Sequence, residues 1–542
     1  MTDRPSPLAP FQHATYRSIW LANLASSFGG LIQAVGAAWL MTSISNSVDM
    51  VALVQASTTL PIMMFSLLGG AIADSFNRRG VMLGAQLFML VVSVALALGT
   101  WFGLMTPWLL LAFTFLIGCG TALNNPSWHA AVGDMVPRDD LPAAVALNSV
   151  GFNLSRSVGP AVGGAIIALA GTAAAFAVNA VSYLGLVAVL LRWRPPASAS
   201  TLPREAIGPA MLAGLRYVGM SPNIGNVLLR SFVFGLTAII ILALLPVVSA
   251  VLLGGGPFIY GLMLCGFGLG AVGGALVSGN MHARLGSESV VRIAFAGFAI
   301  TAWITAISTS PWLTGFAMLI GGACWVLALS LFNVTVQLSS PRWVVGRALS
   351  LYQTASFGGM ALGSWIWGLV AEHYGLSVAL AAAGACMLAG GALGLRLPLP
   401  ARLTANLDPW GRWQEPHLEL ALEERSGPIV VEIEYLIRPS DVPAFLDIMA
   451  DRRRVRRRDG ARHWVLMRDL GQPERWVESY RTATWTEYVR HNQRRTQADA
   501  VITDRIRALH SGAEPPRVRR MIERPPDWFA AVAGIKDTTG PS

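Results

Sequence analysis

Long apolar segments separated by short polar connections occupy the chain up to Pro400. Each segment approaches the roughly 20 residues that an α-helix needs to cross a bilayer. The pattern therefore predicts about twelve transmembrane helices, over residues 17–41, 48–73, 80–102, 108–130, 143–170, 172–191, 226–250, 257–281, 289–309, 311–336, 346–372 and 376–396.

From about Ala401 the pattern changes to short apolar runs among many charges, with 21 of the 30 acidic residues lying beyond Pro400. Alternation predicts strands in "PIVVEIEYLI", "RHWVLMRDL", "RWVESYRTA" and "RVRRMIE". Amphipathic spacing predicts a helix in "DVPAFLDIMADRRRVRR" and one long helix in "TEYVRHNQRRTQADAVITDRIRALH". The order strand, helix, strand, strand, helix, strand predicts a soluble α+β domain of the ferredoxin-like type.

An internal repeat relates the two parts of the apolar region. A shift of 204 residues superposes Gly70 on Gly274, Gly118 on Gly322, Pro137 and Arg138 on Pro341 and Arg342, and Gly164 on Gly368. Two parallel six-helix halves are the simplest account of it. The predicted domains are an N-terminal half at 1–192, a cytoplasmic linker at 193–223, a C-terminal half at 224–400, a linker at 401–426, the ferredoxin-like domain at 427–525 and a tail at 526–542.

Composition and charge support an all-α polytopic membrane protein with a soluble C-terminal domain. Of the 542 residues 54% are hydrophobic and 13% charged, against about 25% charged in soluble domains. The four cysteines lie in apolar runs without a close pair, so neither a disulfide framework nor a zinc site is indicated. No other metal site and no cofactor is predicted. The N-terminal stretch lacks the features of a signal peptide, and the first segment is expected to be a retained helix.

Arginines fall in alternate connections, for example Arg78 and Arg79, Arg138, and Arg342 and Arg347, whereas connections such as "TSISNSVD" have none. Because positive loops stay on the cytoplasmic side, both termini are expected in the cytoplasm. The expected location is the cytoplasmic (inner) membrane, crossed many times. The basic stretch "DRRRVRRRDGAR" is interpreted as a solvated helix end near anionic lipid, and no nucleic-acid binding is predicted.

The stretch "GAIADSFNRRGVML" resembles the loop motif of the major facilitator superfamily. The resemblance implies that Gly70 allows close helix packing and that Asp74 caps a helix or pairs across a cytoplasmic gate. It also implies that Arg78 and Arg79 hold this gate shut. Asn77 stands where the family usually has glycine. Taken alone, the arginines also fit a simple topology signal.

A second motif, "GPAVGG", includes Gly159, Pro160, Gly163 and Gly164 and resembles a motif of exporters and antiporters in this superfamily. Proline kinks a helix, and small residues let a neighbouring backbone approach. Taken individually, the glycines also fit ordinary small-residue packing.

Longer stretches, Asn124 to Gly164 and Pro341 to Leu369, resemble the enterobactin-exporter-like group of facilitators. The resemblance implies proton-driven efflux of a siderophore or another small molecule by alternating access. The tail resembles dimeric α/β-barrel domains of the antibiotic-biosynthesis-monooxygenase type, which implies a possible homodimer. The alternatives are an importer of the same fold, or a transporter whose C-terminal domain is an enzyme or ligand sensor. No catalytic motif supports the enzyme.

Arg156 is the residue predicted to meet cargo, because it lies about 20 Å along the fifth helix and therefore deep in the hydrocarbon layer. A charge there costs at least about 2.5 to 3.5 kcal/mol unless it is compensated. It binds an anionic cargo, or alternates between cargo and a carboxylate from the cavity rim, or hydrogen-bonds Asn148, Asn153 or Gln353 to brace the broken helix. These four residues are the predicted substrate and coupling group.

Overall fold

The structure is a computed structural model that describes residues 8–75, 77–132, 134–137, 140–194, 207–341, 343–400, 406–411, 413–420, 422–423 and 425–523. Helices dominate its larger part. In chain order they are α1 (Ala14–Ile44), α2 (Val48–Ser75), α3 (Arg78–Trp101), α4 (Pro107–Val132), α5 (Leu141–Arg192), α6 (Ile207–Gly219), α7 (Pro222–Val247), α8 (Pro257–Ile307), α9 (Pro311–Leu338), α10 (Val345–Tyr374) and α11 (Leu376–Ala392).

Nine of the helices in the described ranges are long and apolar enough to cross a membrane. Two of them, α5 and α8, each contain a break at a glycine with positive φ, Gly171 (80°) and Gly286 (76°). Each break separates two segments that the sequence predicts as separate helices. Helix α10 is not among the nine because glycine, serine and tryptophan dilute its aliphatic residues, although its 30 residues are long enough to span.

Gly171 and Gly375 are also 204 residues apart and have matching structural roles. Gly171 and Gly375 both adopt positive φ, 80° and 91°, and each lies at the turn before a helix. Such φ values favour glycine because a Cβ atom would be strained there. We call α1 to α5 the first half of the bundle and α7 to α11 the second half.

The chain divides into two compact units. The first comprises Met1–Met211, Asn223–Val336 and Leu349–Ala401, and the second comprises Leu212–Pro222, Gln337–Ala348 and Arg402–Ser542. These units are not contiguous in sequence, so they do not test the predicted domain limits, which remain predictions. The predicted tail at 526–542 lies outside the described residues. Helix α6 lies within the predicted linker at 193–223, for which no helix was predicted. It forms because "AMLAGLRYV" has helix-favouring residues with apolar side chains on one face.

The second unit contains a four-stranded antiparallel sheet with helices. Its elements are β1 (Ile429–Leu436), α12 (Val442–Arg458), β2 (Arg462–Arg468), β3 (Arg475–Thr482), α13 (Trp485–Gln493), α14 (Gln497–Leu509) and β4 (Arg517–Ile522). The strands lie in the order β2-β3-β1-β4, and all three pairs are antiparallel. In β1 buried and less buried residues alternate, so one face of the sheet forms the core of this unit.

The prediction of one long helix between β3 and β4 is wrong, because the structure has two helices there, α13 and α14. Thr496 lies after the end of the first helix and caps the second. Its side chain accepts from the backbone N–H of Asp499, and the Asp499 carboxylate accepts from the backbone N–H of Thr496 at 2.9 Å. This reciprocal pair is a capping box. Its T-x-x-D spacing is present in the sequence and was the missed signal.

Candidate functional site

Arg156 lies in the middle of the first segment of α5, 15 residues after Leu141 and 15 before the break at Gly171. At 1.5 Å per residue it is about 22 Å from either end of this segment. Its side chain is half-buried. The structure thus places a guanidinium group near the centre of an apolar helix.

Aromatic rings from the second half surround this guanidinium. Its Cζ atom lies 5.7 Å from the ring centroid of Phe267 in α8 and 5.6 Å from that of Trp325 in α9. These distances fall within the range of cation–π contacts. Among the described residues, Arg156 forms no hydrogen bond or ion pair with its side chain. Arg156 therefore contacts the second half through aromatic rings, and its N–H groups remain available to donate hydrogen bonds to another molecule.

The other predicted members of this group do not meet Arg156 in the described contacts. Asn148 lies two turns earlier in α5 and accepts a hydrogen bond from the hydroxyl of Tyr16 in α1 at 3.2 Å. Gln353 is half-buried in α10. The side chain of Asn153 lies outside the described residues. Whether these residues share a site with Arg156 stays a prediction.

The motif after Arg156 forms a close contact between the two halves. A Cβ atom built on Gly164 would lie 2.7 Å from the carbonyl oxygen of Pro257 and 3.0 Å from Cα of Gly261, and one on Gly261 would lie 2.6 Å from the carbonyl oxygen of Pro160. Nearer to Arg156, a Cβ on Gly268 would lie 2.5 Å from Cα of Ser157. Helices α5 and α8 therefore touch backbone to backbone from the middle of α5 towards Gly171.

The remaining motif glycines pack α5 against its own half. A Cβ atom on Gly159 would lie 3.1 Å from Cβ of Leu31, and one on Gly163 would lie 3.1 Å from Cα of Ile32. Both partners belong to α1. The four-residue motif thus places small residues towards two neighbouring helices at once.

Helices α2 and α10 form a second contact between the halves. Gly368, the repeat partner of Gly164, faces α2, where a Cβ atom would lie 2.8 Å from Cβ of Ala52. At the start of α2 the backbone N–H of Val48 donates to the Glu372 carboxylate at 2.6 Å. Further along, the hydroxyls of Ser66 and Thr354 lie 2.8 Å apart. Sequence reasoning missed the role of Glu372, whose partner is 324 residues away.

The polar turn between α2 and α3 is held by contacts within the first half. Asn77 caps α3 by accepting from the backbone N–H of Arg79 at 3.1 Å. Arg78 Nη1 donates to the Asp134 carboxylate at 2.8 Å. Gly70 and Asp74 belong to the last turns of α2, and the side chain of Asp74 lies outside the described residues.

Arg79 contacts the far end of α5. Its Nε and Nη2 atoms donate to the carbonyl oxygens of Leu190 and Leu191, each at 2.8 Å. These carbonyls belong to the last turn of the helix, where intrahelical donors are missing and a cation is favourable. The described partners of both arginines therefore lie in the first half, and their role at a gate stays a prediction.

A charge cluster in the second half was not predicted. Arg230 of α7 is fully buried and hydrogen-bonds the Glu288 carboxylate, which also accepts from Arg292 Nε at 2.9 Å and from the backbone N–H of Leu399 at 3.0 Å. Arg292 further donates to the carbonyl oxygen of Gly394 at 3.1 Å. The cluster joins α7 and α8 to the segment after α11, which indicates a structural role.

The C-terminal unit has its own buried ion cluster around Glu478. This carboxylate accepts from Arg456 Nε at 3.1 Å, from the hydroxyl of Tyr435 at 2.8 Å and from the indole N–H of Trp464 at 3.1 Å. Burial alone would raise the pKa of Glu478, but Arg452 and Arg456 lower it to about 2. Glu478 is therefore ionised at neutral pH. The described ranges contain no group of three or more His, Cys, Asp or Glu residues that could hold a metal ion.

The family is decided by a comparison that covers nearly the whole chain. A family model described as "Transmembrane secretion effector", within the major facilitator superfamily, matches residues 5–526. The chain belongs to this transporter family. The match makes the protein a multi-pass membrane transporter rather than an enzyme, and it extends through the C-terminal sheet.

Curated relatives resemble this major facilitator transporter at low identity. The multidrug efflux pump Tap of Mycolicibacterium fortuitum is 26% identical over 397 residues, which cover 70% of this chain and 95% of Tap. The enterobactin exporter EntS of Salmonella choleraesuis is 25% identical over 366 residues, 66% of this chain and 85% of EntS.

A solved bacterial homolog of the human lysosomal transporter Spinster, in an inward-facing and unoccupied conformation, has a similar fold. It superposes with a TM-score of 0.53 at 16% identity. The superposed region covers 72% of this chain and 95% of the chain of that homolog. At this identity the likeness concerns the fold of the facilitator region alone.

Proposed function

We propose that the protein is a proton-coupled exporter of a siderophore or another small molecule across the cytoplasmic membrane, working by alternating access. The observation that carries the proposal is the backbone contact between α5 and α8 through the Gly159–Gly164 motif, next to a mid-helix cation. The resemblance to Tap and EntS, both named as efflux proteins, supports outward transport.

The geometry fits a contact that opens and closes. Glycine contacts bring two backbones together without interlocking side chains, so the halves separate along them without rotamer changes. The contacts of α5 with α8 run from Arg156 towards the turn at Gly171. Separation of α5 and α8 near Gly171 would expose Arg156 to the membrane side on which Gly171 lies. If this contact stays closed and the helices separate at their other ends, Arg156 would be exposed to the opposite side.

Arg156 gives the proposed cargo its chemistry. The donors of this guanidinium lie beside Phe267 and Trp325, so a molecule that approaches it meets positive charge and aromatic surface together. Catecholates and aromatic carboxylates match both features, because a carboxylate accepts two parallel N–H bonds from arginine.

The direction of transport is tested in inverted and right-side-out vesicles under an imposed proton gradient. We expect energised uptake of cargo into inverted vesicles. Supernatants of a deletion strain and its parent under iron limitation should differ in the exported compound, which identifies the cargo. Uptake confined to right-side-out vesicles would favour an importer of the same fold.

We further propose that Gly70, Asp74, Arg78 and Arg79 control access at the cytoplasmic side, with both termini in the cytoplasm as the arginine distribution indicates. Asp74→Asn should fold and insert but lose most of its transport, because the proposed gate would lose its fixed negative partner. Transport and detergent size-exclusion profiles measure the two effects. Parental transport by this variant would refute the gating role.

We also propose that the C-terminal unit is a ferredoxin-like module that forms a homodimer through its sheet. The strand order β2-β3-β1-β4 is the one that this type of fold has. The sheet face that the helices leave uncovered carries both charges and exposed apolar residues, among them Glu434, Arg519 and Met467. Light scattering of the purified chain should give the mass of a dimer, and Met467→Arg should shift it towards a monomer.

A further inference from the structure

A cavity of about 240 Å³ lies inside the C-terminal unit, between the sheet and the helices packed on it. Inward-facing residues of β1, Val431 and Ile433, and Tyr480 of β3 line its sheet side. Trp410 and Trp413, from the segment before β1, line another wall. Because a cavity of roughly 150 Å³ admits benzene, this one has room for a ring with a substituent.

Five arginines line the same cavity, while carboxylates near them are few. The arginines are Arg452, Arg456, Arg495, Arg507 and Arg520. Glu478 lies 3.1 Å from Arg456 and 3.5 Å from Arg452, so one carboxylate serves two guanidinium groups. Asp504 is 3.9 Å from Arg507, and both of these side chains are largely exposed. The cavity wall therefore carries a net positive charge.

Two of these arginines have neutral hydrogen-bond partners. Arg495 Nη2 donates to the hydroxyl of Thr503 at 2.6 Å, and Arg520 Nε donates to the hydroxyl of Tyr488 at 2.7 Å. Neither is in an ion pair with a carboxylate among the described residues. A guanidinium with a neutral partner keeps its full charge. Arg520 is exposed, whereas Arg495 is half-buried, and a charge removed from water is unfavourable without compensation.

Thr503 holds two guanidinium groups side by side. Its Oγ1 atom accepts from Arg452 Nη1 at 2.8 Å and from Arg495 Nη2 at 2.6 Å, and donates to the carbonyl oxygen of Asp499 at 3.2 Å. A hydroxyl has one proton and two lone pairs, so its hydrogen bonds are complete. Two cations are thus fixed next to each other, a geometry that suits an anion and is unfavourable without one.

Electrostatics agree with this geometry. Burial and the nearby guanidinium groups of Arg456 and Arg452 lower the pKa of Arg495 to about 10. The Nε atom of Arg452 is buried and, although it lies 3.5 Å from Oε2 of Glu478, it makes no hydrogen bond within the described part of the chain. An acceptor that enters the cavity would add a hydrogen bond to Arg452 beside this long ion pair.

We propose that this cavity binds a small aromatic carboxylate, whose acid group contacts Arg452, Arg495 and Arg520. The ring of the ligand packs on the apolar wall that includes Ile433 and Trp413. The site is separate from the transmembrane residue Arg156 and does not depend on the direction of transport. It makes the C-terminal unit a ligand-binding module.

The test uses the full-length protein in detergent and two probes of the same shape, 4-fluorobenzoate and neutral 4-fluorobenzamide, followed by fluorine NMR. We expect saturable benzoate binding with a Kd of about 1 mM or below and at least about tenfold weaker benzamide binding, because the amide lacks the charge that the arginines complement. Arg495→Gln and Arg520→Gln should each weaken benzoate binding by about tenfold.

Two control variants separate this cavity from binding elsewhere on the protein. Arg505→Gln makes the same charge change on an exposed position of α14 outside the cavity, and it should bind benzoate like the parent. Because Arg156 is itself proposed to contact aromatic carboxylates, the cavity variants and Arg505→Gln are also compared in an Arg156→Ala background, where the benzoate binding that remains should be that of the cavity. Equal binding of both probes, no saturable binding, or parental binding by both cavity variants in their folded form would overturn the proposal.

Discussion

Arg156→Ala should abolish transport while the protein still inserts and remains monodisperse, and Arg156→Lys should keep part of the activity. A guanidinium at the centre of a bilayer costs about 2.5 to 3.5 kcal/mol. The rings of Phe267 and Trp325, 5.7 and 5.6 Å away, each return about 0.5 to 2 kcal/mol. These contacts offset much of the cost but leave the N–H donors of the guanidinium without an acceptor in the described part of the chain, which favours a functional reason for the arginine.

The size of the effect follows from the bonds that Arg156 offers. A hydrogen bond to a charged group contributes about 1.5 to 3 kcal/mol, so losing it should slow transport by at least about tenfold. Lysine keeps the charge but not the planar pair of donors, and it should give an intermediate rate. Initial rates in proteoliposomes, normalised to inserted protein, measure the series.

Phe267→Leu distinguishes the two roles considered for Arg156. It keeps an apolar side chain in α8 but removes one cation–π partner, so a bracing role predicts lower thermal stability with little change in cargo affinity. Normal export by Arg156→Ala would rule out the cargo-binding role. An alanine variant that fails only because it no longer folds would leave bracing as the function of this residue.

Local patterns were sufficient to predict most helices. The segment limits at Gly171 and near Gly286 follow from apolar length and from glycine, and the C-terminal order of strands follows from alternation over a few residues. Helix α6 and the break at Thr496 were missed, although both have local signals. The sequence also shows the repeat, whose glycines at 164 and 368 face the opposite half in matching positions.

Partners distant in the chain were beyond reach of the same reasoning. Arg156 meets Phe267 and Trp325 because two halves pack together, and periodicity places a residue on a helix without naming its neighbour. Glu372 and Val48 meet at the ends of helices that are far apart in sequence. The arginines joined by Thr503 come from different parts of the chain, so the cavity charge emerges only from the folded C-terminal unit.

The second large effect is expected at the contact between α5 and α8, where Gly164→Val should eliminate transport. A Cβ atom at this position would lie 2.7 Å from the carbonyl oxygen of Pro257 and 3.0 Å from Cα of Gly261. Both are backbone atoms, which cannot move aside as the end of a flexible side chain does. The two helices must therefore separate, and the conformation in which they touch becomes inaccessible.

Gly185→Val is the matched control, since it makes the same change in the second segment of α5 where nothing lies within 4 Å of the added Cβ. Both variants replace glycine by valine in a helix. A loss of transport that they share would therefore reflect helix propensity or membrane insertion and not the contact at Gly164. Loss of transport specific to Gly164→Val, with unchanged expression and size-exclusion profile, would assign the effect to the closed contact.

Because alternating access needs both conformations, a variant fixed in one of them should bind cargo but not turn over. Parental transport by Gly164→Val would mean that the transport cycle does not require this approach of α5 to α8.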